Sequence, residues 1–530
     1  MSSRLTLIHR MQKSLFRTLA LLFGLPLGGA MISLSLATSL SHAAPLELKT
    51  LATYETDLFK KSAAEIVVFQ PDTQNIFVVN GAAPSVDVLR LTPGNKLEKH
   101  ATLTLTAVET PTSVAVRHDL IAVAVHNDAL PQRPGKILLF NNSFQRISEF
   151  PAGSLPDMVS FTPDGRYVLA ANEGEPRDGV DPSGSVTIID LVHGLSRARV
   201  IQAGFEGFST RALIRQGVRI APGKSFAEDA EPEYIAPAAD SRRAWVSLQE
   251  NNALAEIDLV EGRISRILPL GLKDHSHAGQ GLDANDKDGI NIRPLPLYGM
   301  YMPDAIATLT HEDRTFILTA NEGDAREEEI KAGKAPLDET RFPKDLVAAF
   351  KKLRISGTDG DLDGDGDIDR IHSYGARSFS VFSEQGTLLF DSGDQFEQIT
   401  ARHLGKDGFN SDNDEGASAD KRSDNKGPEP EGLTIGVVDD RTYAFIGLER
   451  VGGIMVYDVT DPTAPQFSTY INNRVFNKEL DFSRTADIKA AGPLGPEGIS
   501  FIPADDSPTG KPLLLVAYEI SGTVEVMEIN

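Results

Sequence analysis

The 530-residue chain contains no cysteine and a single tryptophan, Trp245. The first absence excludes disulfides, thiolate metal sites and a lipid-modified N-terminal cysteine, so stability has to come from packing. The second excludes a ladder of tryptophans between repeated units, and with it a quinone-dependent dehydrogenase of that build. Basic residues are short as well: 52 Lys and Arg stand against 75 Asp and Glu, for a formal net charge of −23. Such a surface repels nucleic acid and anionic lipid and favours cations or cationic partners. Catalytic signatures are missing too. There is no Gly-x-Ser-x-Gly elbow, no Gly-x-x-x-x-Gly-Lys phosphate loop and no HExxH helix, so any hydrolysis would need bound metal to activate water.

A long apolar run, residues 19–36, lies near the N-terminus. Arg4, Arg10, Lys13 and Arg17 precede it, and Ser41-His42-Ala43 follows with small residues at the minus three and minus one positions. This pattern predicts a secretory signal over 1–43, with an uncleaved membrane anchor as the alternative. Cleavage removes four basic and no acidic side chains, moving the formal charge to −27. The expected mature protein, 44–530, is periplasmic or secreted, with no stable membrane anchor.

What the chain does have is a repeat. Pro156-Asp157, Pro232-Glu233, Pro303-Asp304, Pro430-Glu431 and Pro496-Glu497 each open a short apolar run. A second run ends 16 to 22 residues later on Glu173, Glu250, Glu322, Glu449 and Glu519. Aligned on these acids, the chain divides into seven units beginning near Glu65, Pro111, Pro156, Pro232, Pro303, Pro430 and Pro496. Each unit reads as strand, turn, strand, Gly-containing turn, strand, usually with a fourth strand after it. Short antiparallel strands in seven such units predict an all-β fold, a seven-bladed β-propeller of four-stranded antiparallel blades. The last unit stops after its third strand, and the extended stretch 46–54 is expected to complete that blade and close the ring. Insertions at about 198–230, 271–301, 324–375 and 392–430 fall on connections that emerge on one face. The recurring acids lie on that face too.

Several blocks resemble the choice-of-anchor I family. They include Gly153-Ser154-Leu155-Pro156-Asp157-Met158, Asn172-Glu173-Gly174-Glu175-Pro176, Gly281-Leu282-Asp283-Ala284-Asn285-Asp286, Asn321-Glu322-Gly323-Asp324-Ala325-Arg326 and Phe409-Asn410-Ser411-Asp412-Asn413-Asp414-Glu415. The resemblance implies a secreted or surface propeller of the YVTN-like class, often labelled alkaline phosphatase-like. It also leads one to expect a C-terminal anchoring signal, whereas this chain ends on its last propeller strand, in keeping with a free periplasmic or secreted protein.

Three groups of residues are the candidates for chemistry. First-strand acids Glu65, Asp157, Glu233, Asp304, Glu431 and Glu497 and second-strand acids Glu173, Glu250, Glu322, Glu449 and Glu519 are expected to form two rings at the channel mouth. Like charges so gathered raise one another's pKa unless a cation offsets them, and Ca²⁺ or another divalent cation is the expected partner. Pairing with basic side chains is the competing reading. Second, Asp361-Leu362-Asp363-Gly364-Asp365-Gly366-Asp367-Ile368-Asp369 matches the start of a Ca²⁺ loop, with His372 at the twelfth position in place of Glu. Third, Arg326, Arg377, Lys426 and Arg450 are candidate anion holders. Weaker loop candidates are Asp283, Asp286 and Asp288 beside His275 and His277, and Asp412, Asp414 and Glu415 toward Asp420 and Asp424. The functional expectation is a cation-binding module for a small-molecule, polymer or protein ligand. The alternative is a metal-dependent phosphoester hydrolase.

Overall fold

Short aliphatic runs separated by Gly, Pro and Asp turns build a protein made almost wholly of antiparallel sheets. A computed structural model describes residues 45–530 other than 128, 129, 131, 178, 327 and 478. The expected leader, 1–43, lies outside the described residues. Seven sheets have four strands each, in consecutive hairpin order. Their inner strands are Val67–Gln70, Glu109–Arg117, Pro156–Phe161, Pro232–Pro237, Ile306–His311, Pro430–Val438 and Pro496–Ile502.

Burial follows position within a sheet. The second strand Tyr167–Asn172 is buried at every residue, while the outer strand Lys96–Thr104 is largely exposed. Continuous rather than alternating burial in second strands such as Asn75–Asn80, Tyr167–Asn172 and Leu513–Tyr518 means that both faces are covered. The cover is the next sheet. Phe77 and Val79 of the first sheet share a core with Val123 and Val125 of the second, and Trp245 of the fourth packs with Ile317 and Phe382 of the fifth. The succession returns to its start, because Leu515 and Val526 of the seventh sheet pack with Val67 and Ile76 of the first. The innermost strands are neighbours in the same order, and Pro496–Ile502 also contacts Val67–Gln70.

Strand Leu48–Glu55 pairs antiparallel with the C-terminal strand Thr523–Ile529, from Leu48 opposite Ile529 to Glu55 opposite Thr523. The fourth strand of the last sheet therefore comes from the N-terminal side of the first sheet, and it pairs the edge that Thr523–Ile529 would otherwise leave open.

The insertions differ from the sequence reading in two respects. Residues 199–203 of the expected 198–230 insertion are the fourth strand of the third sheet, Arg199–Ala203. Insertions 271–301 and 324–375 are more than loops: they combine into a further five-stranded sheet, including Leu272–Asp274, Tyr298–Met300 and Arg354–Ser356. That sheet has its own core of Leu295, Leu297, Phe350, Leu353 and Ile371. The 392–430 insertion carries helix Gln395–Gly408. No helix among the described residues is long and apolar enough to cross a membrane.

Candidate functional site

The proline–acid dipeptides are local devices for turning a carboxylate out of its sheet. Strand register shifts between Pro156 and Met158, between Pro232 and Ile235, between Pro430 and Leu433, and between Pro496 and Ile499. A bulge at each acid re-aims its side chain, as bulges next to sites do. Glycine follows two of these acids because neighbouring inner strands pass very close. A Cβ on Gly432 would lie 2.0 Å from the Glu497 carbonyl oxygen, and one on Gly498 would lie 2.5 Å from that of Glu65. Hydroxyls pin adjacent sheets at the same level: Thr112 Oγ1 donates to the Pro156 carbonyl at 2.5 Å and Ser247 Oγ to the Asp304 carbonyl at 2.8 Å.

Eleven sequence-predicted acids consequently line two cavities. An inner one of about 460 Å³, walled by six of the seven inner strands and by Asp304 and Ala305 at the entry to Ile306–His311, holds Glu65, Asp157, Asp304 and Glu497. An outer one of about 870 Å³ holds Glu173, Glu233, Glu250, Glu322, Glu431, Glu449 and Glu519. The grouping is not the two rings expected from strand position, since the first-strand acids Glu233 and Glu431 side with the second-strand acids. Asp304 of the inner cavity and Glu322 and Glu431 of the outer one offer oxygens within 4.8 Å of one another, so the cavities meet at that trio.

Burial and mutual repulsion push these carboxyls up. Burial, then Asp157 and Glu519, raises Glu65 to about 8. Burial and then Glu231 raise Glu250 to about 8, and burial with Glu175 raises Asp157 to about 6. Glu431 is raised well above the usual range by burial, then by Glu449 and Glu497; Asp304 is raised likewise by burial and then Glu322. Neither Asp304 nor Glu431 has a basic side chain within ion-pair distance among the described residues, and Glu431 Oε2 is sealed from solvent without a hydrogen-bond donor.

Next to this trio lies its electrostatic opposite. Glu322, Glu429 and Glu449 also converge, but there internal cations fill the space. Lys426 Nζ sits 3.0 Å from both Glu322 and Glu429, Arg450 Nε lies 3.1 Å from Glu449 and 3.2 Å from Glu429, and Arg422 pairs with Glu429. Burial alone would raise Glu429, yet Lys426, Arg422 and Arg450 outweigh it and hold the carboxyl down at about 2. Glu429, like Glu231 of the outer cavity, went unnoticed in the sequence. The signal was available, because Glu231-Pro232-Glu233 and Glu429-Pro430-Glu431 place an acid on both sides of the proline.

The four expected anion holders are committed elsewhere. Arg326 pairs with Asp229 at 2.8 Å and Glu231 at 2.9 Å, and Lys426 and Arg450 serve the glutamates above. Arg377 is a correction: it is buried away from both cavities, pairs with Glu397 at 2.7 Å and donates to the carbonyls of Asp283, Ser423 and Asn425. It ties the 271–301 and 392–430 insertions together.

The aspartate loop is pinched at its base, where the amides of Asp369 and Arg370 donate to the Gly360 carbonyl at 3.0 and 3.1 Å. Asp361, Asp363 and Asp369 present oxygens within 4.8 Å, whereas Asp365 and Asp367 lie outside that group. His372 accepts from Arg370 instead of facing the loop. The weaker loop sets do not gather three ligand atoms among the described residues. Asp283 accepts the amides of Asn285 and Asn291, Asp286 pairs with Lys352, and His275 is buried with Nδ1 on the Gln280 carbonyl.

The choice-of-anchor I domain model matches residues 65–462, three quarters of the chain, with five of its seven four-stranded sheets in full and three strands of a sixth. The chain belongs to the choice-of-anchor I family. Among curated proteins, it is similar to Gigasin-3a of Magallana gigas, 32% identical over 188 residues that cover 34% of this chain and 66% of that protein. It is also similar to the mesenchyme-specific cell surface glycoprotein of Strongylocentrotus purpuratus, 26% identical over 306 residues, 48% of this chain and 37% of that protein. The choice-of-anchor I chain thus spans only part of the length of these relatives. Solved structures with some likeness include a hydrazine synthase of Kuenenia stuttgartiensis, at a TM-score of 0.44 and 13% identity over 90% of this chain and 97% of that one. A streptogramin B lyase follows at 0.43 and 10%, over 92% and 98%. Scores this low leave the architecture to rest on the strand pairing and sheet packing described above.

Proposed function

We propose that this choice-of-anchor I protein is an extracellular or cell-surface binding module whose seven sheets are the blades of one closed β-propeller, and that a divalent cation, Ca²⁺ foremost, binds where the two acidic cavities meet. The return of sheet packing from the seventh sheet to the first supports the ring. Resemblance to a curated cell surface glycoprotein supports the location. With its signal removed the protein would be periplasmic or secreted.

One observation carries the cation reading: two carboxylate trios share Glu322, and the other two members of each differ in whether an internal cation meets them. Buried carboxylates need partners. Glu322, Glu429 and Glu449 have Lys426, Arg422 and Arg450, whereas Asp304 and Glu431 have no internal cation among the described residues. Carboxylate oxygens 4.8 Å apart or closer suit a bare ion with oxygen ligands at roughly 2.3–2.6 Å. Asp361, Asp363 and Asp369 form a second, independent Ca²⁺ site in the aspartate loop. The bound ions leave a less repulsive outer cavity, open to a small-molecule, polymer or protein ligand.

Phosphoester hydrolysis fits less well. It needs basic groups at the mouth that are able to take up an anion, and Arg326, Lys426 and Arg450 are each held by carboxylates while Arg377 is buried elsewhere. The experiment is a calorimetric titration of chelator-treated protein with Ca²⁺ and Mg²⁺, together with phosphate release from a generic phosphomonoester in the same samples. Binding lost in Glu431→Gln without phosphate release is expected. Metal-dependent phosphate release lost in the same variant would transfer the site to the hydrolase reading.

A further inference from the structure

Away from the channel, the base of the aspartate loop forms one wall of a separate cavity of about 550 Å³. Its lining has an apolar side, with Leu272, Met300 and Ile220, and the exposed Ile214 lies at its rim. Its polar end is Arg370. That side chain is positioned from three directions. Gly360, at φ 98°, lets its own carbonyl take the Arg370 amide, and a Cβ there would lie 1.9 Å from the Arg370 carbonyl oxygen. The guanidinium stacks 5.5 Å from the Tyr298 ring centroid, and its Nε donates to His372 Nε2 at 2.9 Å. His372 acts as acceptor because it is neutral: burial, followed by the charges of Arg370 and Arg219, outweighs Asp359 and lowers it to about 4.

Arg370 has no carboxylate within ion-pair distance among the described residues, in a chain with 75 acids. The acid in the same cavity, Asp359, is already taken, accepting from Arg219 Nε at 2.8 Å and from Ser356 Oγ at 2.6 Å. A stacked, oriented guanidinium with its terminal nitrogens uncommitted, facing aliphatic walls, has the chemistry of a carboxylate clamp with an apolar pocket behind it. We propose that this cavity binds a small organic carboxylate, its anionic group on the Arg370 guanidinium and its hydrocarbon body against Leu272, Ile220 and Met300. The site is independent of the channel cation, and no residue of the metal trio lines it.

Hexanoate and 3-phenylpropanoate are the probes, with hexan-1-ol and hexylamine as controls, in ligand-observed NMR and calorimetry on the whole protein at fixed Ca²⁺. Both carboxylates are expected to bind, and neither control to bind at the same concentration. Arg370→Gln should weaken carboxylate binding about tenfold or more, the scale of a charged hydrogen bond. Ile214→Glu, on an exposed helix position that tolerates substitution, should weaken it by adding a like charge at the rim, and it keeps the test valid should Arg370→Gln fold poorly. Absence of carboxylate binding by the wild type, equal binding of hexan-1-ol, or binding unchanged in the folded variants would overturn the proposal.

Discussion

Glu429 and Glu431 stand two residues apart on one strand entry with opposite chemistry, because the first meets three cations and the second meets carboxylates. The contrast predicts opposite mutational outcomes. Lys426→Met strips Glu322 and Glu429 of a buried ammonium and should cost about 3–5 kcal/mol, read as a shift in urea midpoint at unchanged slope. Glu431→Gln removes a source of repulsion and no internal ion pair. Chelator-treated Glu431→Gln should therefore melt at or above the temperature of chelator-treated wild type, and should gain less from added Ca²⁺. A Glu431→Gln variant that melts well below wild type without metal would show that Glu431 has an internal role instead.

At the scale of elements, the bulges after Pro156, Pro232, Pro430 and Pro496 aim the acids that follow them, and glycine lets the inner strands close up. Gly432→Ala and Gly498→Ala place a methyl against backbone carbonyls, Glu497 and Glu65 respectively, that cannot move aside. Each should destabilise by roughly 1–3 kcal/mol, measurable by thermal or chemical denaturation. Deleting residues 45–55 removes the strand Leu48–Glu55 that covers Thr523–Ile529, and is expected to lower the melting temperature and expose an edge that aggregates. Much at this scale was legible in the sequence. The acids after Pro156, Pro232, Pro303, Pro430 and Pro496 announce themselves because the dipeptide recurs, and the covering strand shows as an extended stretch ahead of the first unit when the last unit is one strand short. The five-stranded sheet was not legible. Its strands are three residues or shorter, come from two insertions far apart in sequence, and leave no periodicity to read. Arg377 misled for a related reason: beside an acidic segment in sequence, it is turned by packing toward Glu397 of the 392–430 insertion.

Over the whole molecule, the gathered acids make stability depend on pH in an unusual direction. Glu65 and Glu250 hold protons to about 8 in the folded state and Asp157 to about 6, whereas the unfolded chain releases them near ordinary carboxylate values. The folded state therefore binds more protons than the unfolded state between roughly pH 4 and 8. Stability from these groups is present below the unfolded values and is lost as pH rises through 6 and then 8. Metal-free protein is expected to melt progressively lower from pH 5 to pH 8.5, and added Ca²⁺ should offset the loss most at the high end. A melting temperature that rises with pH over that interval without metal would contradict the clustering.

The two trios share Glu322 and its partner Lys426, and they could be told apart only once the fold had placed Arg422 and Arg450 beside Glu429 and Glu449 and left Asp304 and Glu431 without an ion-pair partner among the described residues. The central claim is that the cation site is the trio that holds those two. It is tested most directly by calorimetric titration of Ca²⁺ into chelator-treated protein at pH 8, in a background where Asp361→Asn and Asp363→Asn silence the loop. One remaining site that disappears in Asp304→Asn and in Glu431→Gln, with proton release on binding, is the predicted result. No remaining site, or one that persists unchanged in both variants, would contradict a cation held by Asp304, Glu322 and Glu431.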